Sequence, residues 1–98
     1  GMPDEPLFRV SKGTTVKLSM TNRTSWPHAM HLHGHHFKQI ARKPDGPHEP
    51  YWRDTILLNP DEEFTMAFVA DNPGKWMLHC HMLEHQEGGM MTWFEVTA

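Results

Sequence analysis

Hydrophobic and polar positions alternate with a period of two along much of this chain. Val16, Leu18 and Met20 are separated by polar residues, a pattern typical of strands that bury one face. The same alternation runs through residues 64–68, 76–80 and 94–96. Shorter apolar runs predict four more strands, at Leu7–Val10, Met30–His33, Phe37–Ala41 and Thr55–Leu58. The pattern therefore predicts an all-β sandwich of seven to eight short strands.

Turn-forming residues separate the predicted strands. They are Lys12-Gly13, Asn59-Pro60-Asp61 and Asn72-Pro73-Gly74, combinations that favour tight turns. The segment Lys43–Arg53 is rich in proline and predicts a long surface loop. Residues His81–Gln86 predict one short helical turn after the strand that carries Cys80.

Size and charge exclude several classes of protein. Ninety-eight residues with 38% apolar content suffice for one domain with its own core. The net charge of −3 gives no support for binding to nucleic acid or to an anionic membrane surface. No apolar run approaches the ~18 residues of a membrane span, and no signal-peptide pattern opens the sequence. The one cysteine excludes an intrachain disulfide.

Most of the nine histidines fall in two segments, residues 28–36 and 79–85. Successive side chains of a strand point to opposite faces of the sheet. Cys80 shares its parity with Leu78, and His28 shares its parity with Leu32, so we expect both to face the core. The opposite, outer face is predicted to carry four histidines: His31, His33, His79 and His81. His85 and Met90 follow Cys80 at short distances along the chain.

The two sets of side chains indicate different metal chemistry. Two imidazoles, a thiolate and a thioether are the ligands of a blue-copper electron-transfer site. Zinc is less favoured, because its usual ligands are cysteine, histidine and carboxylate rather than methionine. The outer imidazoles are expected to bind a metal by themselves or to form half of a cluster that another domain completes. Cys80 is bonded through the backbone to His79 and His81, which gives an electron a covalent path between the two sets.

Simpler interpretations remain open at this stage. Cys80 alone could be a buried free thiol, and the outer histidines alone could be an exposed polar face. We expect His35 to be structural and His36 and His48 to be surface residues. Asp54 could orient a histidine ring or make a hydrogen bond at the start of a strand.

Both histidine segments resemble the C-terminal cupredoxin domain of multicopper oxidases, a family that includes laccases and cuprous oxidases. The shared motifs are His-x-x-His-x-His at residues 28–33 and His-Cys-His-x-x-x-His-x-x-x-x-Met at residues 79–90. Residues 52–55, Trp-Arg-Asp-Thr, are similar to a Trp-Lys-Asp-Thr segment of the family. The resemblance implies that residues 1–98 form one cupredoxin-like Greek-key β-sandwich, the C-terminal copper-binding domain of a larger oxidase.

The resemblance also implies a ligand for each copper. The type 1 ligands it implies are His28, Cys80, His85 and Met90, with Met90 axial. The remaining ligands it implies are His31 for type 2 copper and His33, His79 and His81 for type 3 copper. Ala29 replaces the usual proline of the family, from which we expect local loosening only. The trinuclear cluster of the family takes eight histidines, so an N-terminal cupredoxin domain or a second chain would supply four more.

A function follows from the resemblance. Type 1 copper would take electrons from a small reducing substrate and pass them through Cys80, His79 and His81, the expected catalytic residues, to a cluster that reduces O2 to water. The isolated chain is expected to be inactive. The alternative is a single-domain cupredoxin that carries electrons or binds copper without oxidase activity; pairing of two copies around their outer histidines is a further possibility. By resemblance, the expected location is periplasmic or extracellular.

Overall fold

The backbone forms β-strands where the hydrophobic alternation predicts them. A computed structural model describes residues 3–44, 51–82 and 91–98, with only the backbone for residues 81 and 82. Its eight strands are β1 (Arg9–Ser11), β2 (Thr14–Thr21), β3 (His28–Leu32), β4 (Lys38–Lys43), β5 (Thr55–Leu58), β6 (Glu63–Ala70), β7 (Gly74–Met82) and β8 (Met91–Thr97). Each predicted apolar segment overlaps one strand, so the all-β prediction is confirmed.

The helical turn predicted over His81–Gln86 is wrong at its start. His81 and Met82 continue β7, where they pair with Ala29 and His28 of β3. Hydrogen bonds to β3 override the local preference of this segment for a helical turn, because strand formation depends on the strand that lies beside it. Residues 83–86 lie outside the described residues.

Two sheets pack face to face. The larger sheet has the order β1-β8-β7-β3-β5, and the smaller sheet has the order β2-β6-β4. Among these pairs only β1 and β8 are parallel. The most deeply buried large side chains lie between the sheets: Leu32, Phe37, Phe64, Met66, Phe68, Phe94 and Val96. Burial of their apolar surface is the main favourable contribution to stability in a domain of this size.

Strands β3 and β7 are neighbours, which brings the two histidine segments side by side. In their antiparallel register His31 lies opposite His79, and Met30 lies opposite Cys80. Side chains of directly opposed residues point to the same face of a sheet. The register therefore fixes which residues of β3 and β7 can meet on each face.

A tight bend follows β3 and depends on Gly34. This residue has a φ of 77°, and a Cβ atom built on it would lie 2.5 Å from the ring of Trp76. Only glycine combines this left-handed conformation with so close an approach. Beyond the bend, Phe37 and Arg53 exchange two backbone hydrogen bonds of 2.8 and 2.9 Å, which hold the segment before β5 against the start of β4.

Candidate metal centres

The inner face of β3 and β7 brings together His28 and Cys80. His28 Nδ1 lies 3.3 Å from Cys80 Sγ, although the two residues are 52 positions apart in the chain. Cys80 is a free cysteine and only 4% exposed. A cavity of about 480 Å³ adjoins the pair, and apolar side chains such as Met30 and Leu58 form much of its lining. The prediction that these two residues share the core side of the sheet is confirmed.

Three imidazoles meet on the outer face of the same strands. One ligand nitrogen from each of His31, His33 and His79 lies within 4.8 Å of the others. The closest approach is 3.0 Å, between His33 Nε2 and His79 Nε2. All three side chains are half-buried. The expectation that these histidines cluster on the face opposite Cys80 is confirmed, and their nitrogens are close enough together to bind one metal ion.

A hydroxyl group orients one ring of this outer cluster. Thr55, directly opposite His31 in the β3–β5 pair, donates its hydroxyl proton to Asp54 Oδ1 at 3.0 Å. Its oxygen can therefore accept a hydrogen bond from His31 Nδ1–H, 2.8 Å away. Asp54 orients the ring mainly through Thr55, since its own carboxylate oxygen lies 3.9 Å from Nδ1. Sequence reasoning considered Asp54 but missed Thr55, whose position in the strand pairing is the only signal for its role.

His35 supports the outer cluster from inside the core. Its side chain packs against the rings of Phe68, Trp76 and Phe94. The backbone N–H of Asn72 donates to His35 Nε2 at 3.3 Å, which leaves the proton on Nδ1 for the carbonyl of His33, also 3.3 Å away. The predicted structural role of His35 is confirmed, because this bond holds the backbone of His33.

Three of the remaining predicted ligands lie wholly or partly outside the described residues. His85 and Met90, the other two proposed ligands of the inner set, lie outside the described residues, as does His48. The side chain of His81 is outside them too, although its backbone belongs to β7. His36 is exposed, as expected.

Comparison with known proteins decides the family. A family model described as multicopper oxidase matches residues 1–98. The chain belongs to the multicopper oxidase family. Membership of this family implies copper as the metal, and the donor atoms fit it: a buried thiol beside an imidazole on one face, and three converging imidazoles on the other.

Individual multicopper oxidases are similar over nearly the whole chain. The multicopper oxidase MmcO of Mycobacterium tuberculosis is 42% identical over 86 residues, which cover 87% of this chain and 16% of that protein. The iron transport multicopper oxidase FET3 of Candida glabrata is 36% identical over 102 residues, which cover 85% of this chain and 16% of that protein. The chain thus spans about a sixth of the length of the curated relatives it matches, and these relatives are larger proteins.

Solved structures confirm the cupredoxin-like Greek-key β-sandwich. Lac15 from a marine microbial metagenome superposes with a TM-score of 0.83 and 43% identity, covering 97% of this chain and 24% of Lac15. The multicopper oxidase of Pseudomonas thermotolerans gives a TM-score of 0.84 and 38% identity, with coverage of 96% and 23%. Within residues 3–44, 51–82 and 91–98, the structure contains no helix long and apolar enough to cross a membrane.

Proposed function

We propose that this chain is the copper-binding domain of a larger oxidase that passes electrons from a small reducing substrate to O2. The observation that carries the proposal is the placement of a histidine–cysteine pair and a three-histidine cluster on opposite faces of the same two strands. Copper, when bound, would supply one-electron redox chemistry. The residues of the chain would hold it and connect its two sites.

On the inner face, His28, Cys80, His85 and Met90 are the proposed type 1 ligands. The 3.3 Å contact between His28 and Cys80 and the burial of the thiol support the first two. The other two are supported by the sequence spacing alone. A thiolate beside mostly apolar side chains is a suitable ligand for tuning the reduction potential of a soft metal.

On the outer face, His31 is the proposed type 2 ligand, and His33, His79 and His81 are the proposed type 3 ligands. The convergence of His31, His33 and His79 supports this assignment. Four further histidines would come from an N-terminal cupredoxin domain or from a second chain. The greater length of the relatives supports a source outside this segment. By resemblance, we place the enzyme in the periplasm or outside the cell.

The strand itself provides the electron path. Cys80 lies between His79 and His81 in β7, so the covalent backbone links the thiol on the inner face to the imidazole of His79 on the outer face, and it leads on to His81 in the other direction. These three residues are the proposed catalytic residues for electron transfer. A single-domain electron carrier is not favoured, because it would need only the inner site and would leave the convergent outer histidines without a function.

An exchange of domains tests the proposal. Residues 1–98 would replace the matching segment of MmcO from M. tuberculosis, and O2 consumption with a reducing dye would be measured after copper loading. We expect turnover from the chimera and almost none from the 98-residue chain by itself. His79→Ala should abolish turnover of the chimera, whereas His36→Ala, which alters an exposed histidine of the next loop, should preserve it. Rapid O2 consumption by the isolated monomer would contradict the proposal.

A further inference from the structure

We infer that Asn22 and Thr24 form a positioning pair that fixes the proton of His28 on Nε2 and leaves Nδ1 free to face Cys80. The pair lies in the segment between β2 and β3, outside both histidine motifs. This inference rests on the proposed type 1 site, because it concerns the orientation of one of its ligands. It assigns a role to residues that are not proposed metal ligands and do not belong to the shared motifs.

Asn22 is the fixed end of the pair. The residue is 4% exposed, and its Nδ2 donates to the carbonyls of Trp26 at 2.8 Å and Leu58 at 3.0 Å. Carbonyl oxygens only accept hydrogen bonds, so these two contacts determine which end of the amide is nitrogen. The amide oxygen must therefore point the other way, where the backbone N–H of Thr24 donates to it at 2.9 Å.

The hydroxyl of Thr24 links the amide of Asn22 to the ring of His28 through hydrogen bonds. Thr24 Oγ1 lies 2.6 Å from Asn22 Oδ1 and 3.1 Å from the carbonyl oxygen of Trp26. Neither oxygen can donate, so the single hydroxyl proton is directed at these two acceptors, of which Asn22 Oδ1 is the nearer. The same Oγ1 lies 2.8 Å from His28 Nε2. With its proton already committed, Oγ1 can only accept there, so Nε2 carries the ring hydrogen.

The consequence falls on the other ring nitrogen. A neutral imidazole has one N–H, so a protonated Nε2 leaves the lone pair of Nδ1 available, and Nδ1 is the atom 3.3 Å from Cys80 Sγ. Hydrogen bonds of this kind, in which the ring nitrogen that does not face the metal donates to a fixed oxygen, set the tautomer of metal-binding histidines. Their loss typically lowers metal affinity 10–100-fold.

The same segment also shows why a sequence motif is misleading here. Asn22-Arg23-Thr24 matches the acceptor pattern for N-glycosylation. The amide nitrogen of Asn22 is buried and makes two hydrogen bonds to backbone carbonyls, so it is inaccessible in the folded chain. The asparagine and the threonine serve the interior of the protein instead.

The test compares three variants of the 98-residue chain. Thr24→Val removes the hydroxyl at nearly constant volume, Thr24→Ser restores it, and Thr15→Val makes the same change at an exposed site near the other end of the β2 ladder. Long-range ¹H–¹⁵N correlation spectra of the metal-free proteins, recorded in alkaline buffer where imidazoles are neutral, report the tautomer of His28. Titration with Cu(II) against a competing chelator reports affinity.

We expect the Nε2–H form of His28 in the unaltered chain, in Thr24→Ser and in Thr15→Val. Thr24→Val should lose this preference and bind Cu(II) about tenfold more weakly. A Thr24→Val protein that keeps the Nε2–H form would overturn the inference, as would a Thr24→Ser protein that loses it. The proposed function has a separate readout: failure of the copper-loaded unaltered chain to show intense visible thiolate-to-copper absorption counts against the type 1 site and leaves the tautomer result standing.

Discussion

The two faces of β3 and β7 hold side chains of similar type in contrasting environments. On the inner face, His28 meets a cysteine that is 4% exposed, between two packed sheets. On the outer face, His31, His33 and His79 are half-buried and directed away from the smaller sheet. The difference teaches that one pair of strands can hold a buried thiol against this chain's own core on one face and a group of half-buried imidazoles on the other.

Each face also uses a threonine hydroxyl to orient a ring, but at opposite nitrogens. Thr24 lies 2.8 Å from Nε2 of His28, whereas Thr55 lies 2.8 Å from Nδ1 of His31. In both cases the hydroxyl donates its own proton to a neighbouring side-chain oxygen. His28 therefore has Nδ1 available to bind a metal, and His31 has Nε2 available. Ring orientation is thus decided by neighbours outside the ligand set.

The largest expected effect is confined to the inner face. Cys80→Ser should eliminate the visible thiolate-to-copper absorption of the copper-loaded chain, because a hydroxyl does not supply the soft, ionised sulfur on which this band depends. Copper bound by the outer histidines should remain and be detected by metal analysis. Retention of the blue absorption in Cys80→Ser would show that another residue supplies the sulfur ligand.

A second experiment addresses the bend that follows β3. Gly34→Ala should lower the free energy of unfolding by roughly 2–5 kcal/mol, the sum of a left-handed backbone penalty and a collision with Trp76. Gly13→Ala is the matched control, since Gly13 also has positive φ but a Cβ there meets nothing within 4 Å; we expect only about 1–2 kcal/mol. Urea unfolding gives both values. Equal losses would mean that the contact with Trp76 is unimportant.

A third experiment acts on the outer face alone. His79→Ala removes one of the three converging imidazoles, so copper affinity at the outer cluster should fall by about 100-fold. This is the upper end of the loss seen when a hydrogen-bond partner of a metal ligand is removed, and His79 is itself a proposed ligand. The blue absorption should persist because the inner ligands are untouched. Copper stoichiometry and the visible spectrum, measured on the same sample, check both expectations. A loss of the blue absorption as complete as that in Cys80→Ser would contradict the placement of His79 on the outer face.

The smallest expected effect concerns the hydroxyl that orients His31. Thr55→Val should weaken copper binding at the outer cluster by about tenfold, because the ring loses the acceptor that holds Nδ1–H. The blue absorption should not change, because the inner ligands are untouched. Thr55→Ser keeps the hydroxyl and should bind copper as the unaltered chain does, by competitive titration. A change in the blue absorption of Thr55→Val would show that the hydrogen bonds that orient His28 and His31 are not independent.

The sequence by itself determined the strands and the faces on which His28, His31 and His79 lie. Both follow from local rules: apolar residues repeat every two positions, and successive side chains of a strand alternate between faces. The spacing of the motifs around Cys80 also pointed to the multicopper oxidase family, which the comparisons confirm. A local rule was less reliable at His81, where pairing with β3 extends the strand past the predicted boundary.

Only the tertiary structure decided which distant residues support these side chains. No pattern along the chain shows that Asn22 is buried against Leu58, that Thr55 lies opposite His31, or that Trp76 covers Gly34. These contacts depend on sheet order and register, which bring together segments that are many residues apart. Hydrogen bonds are directional and act over less than about 3.5 Å, so their partners become known only when the strands are placed side by side.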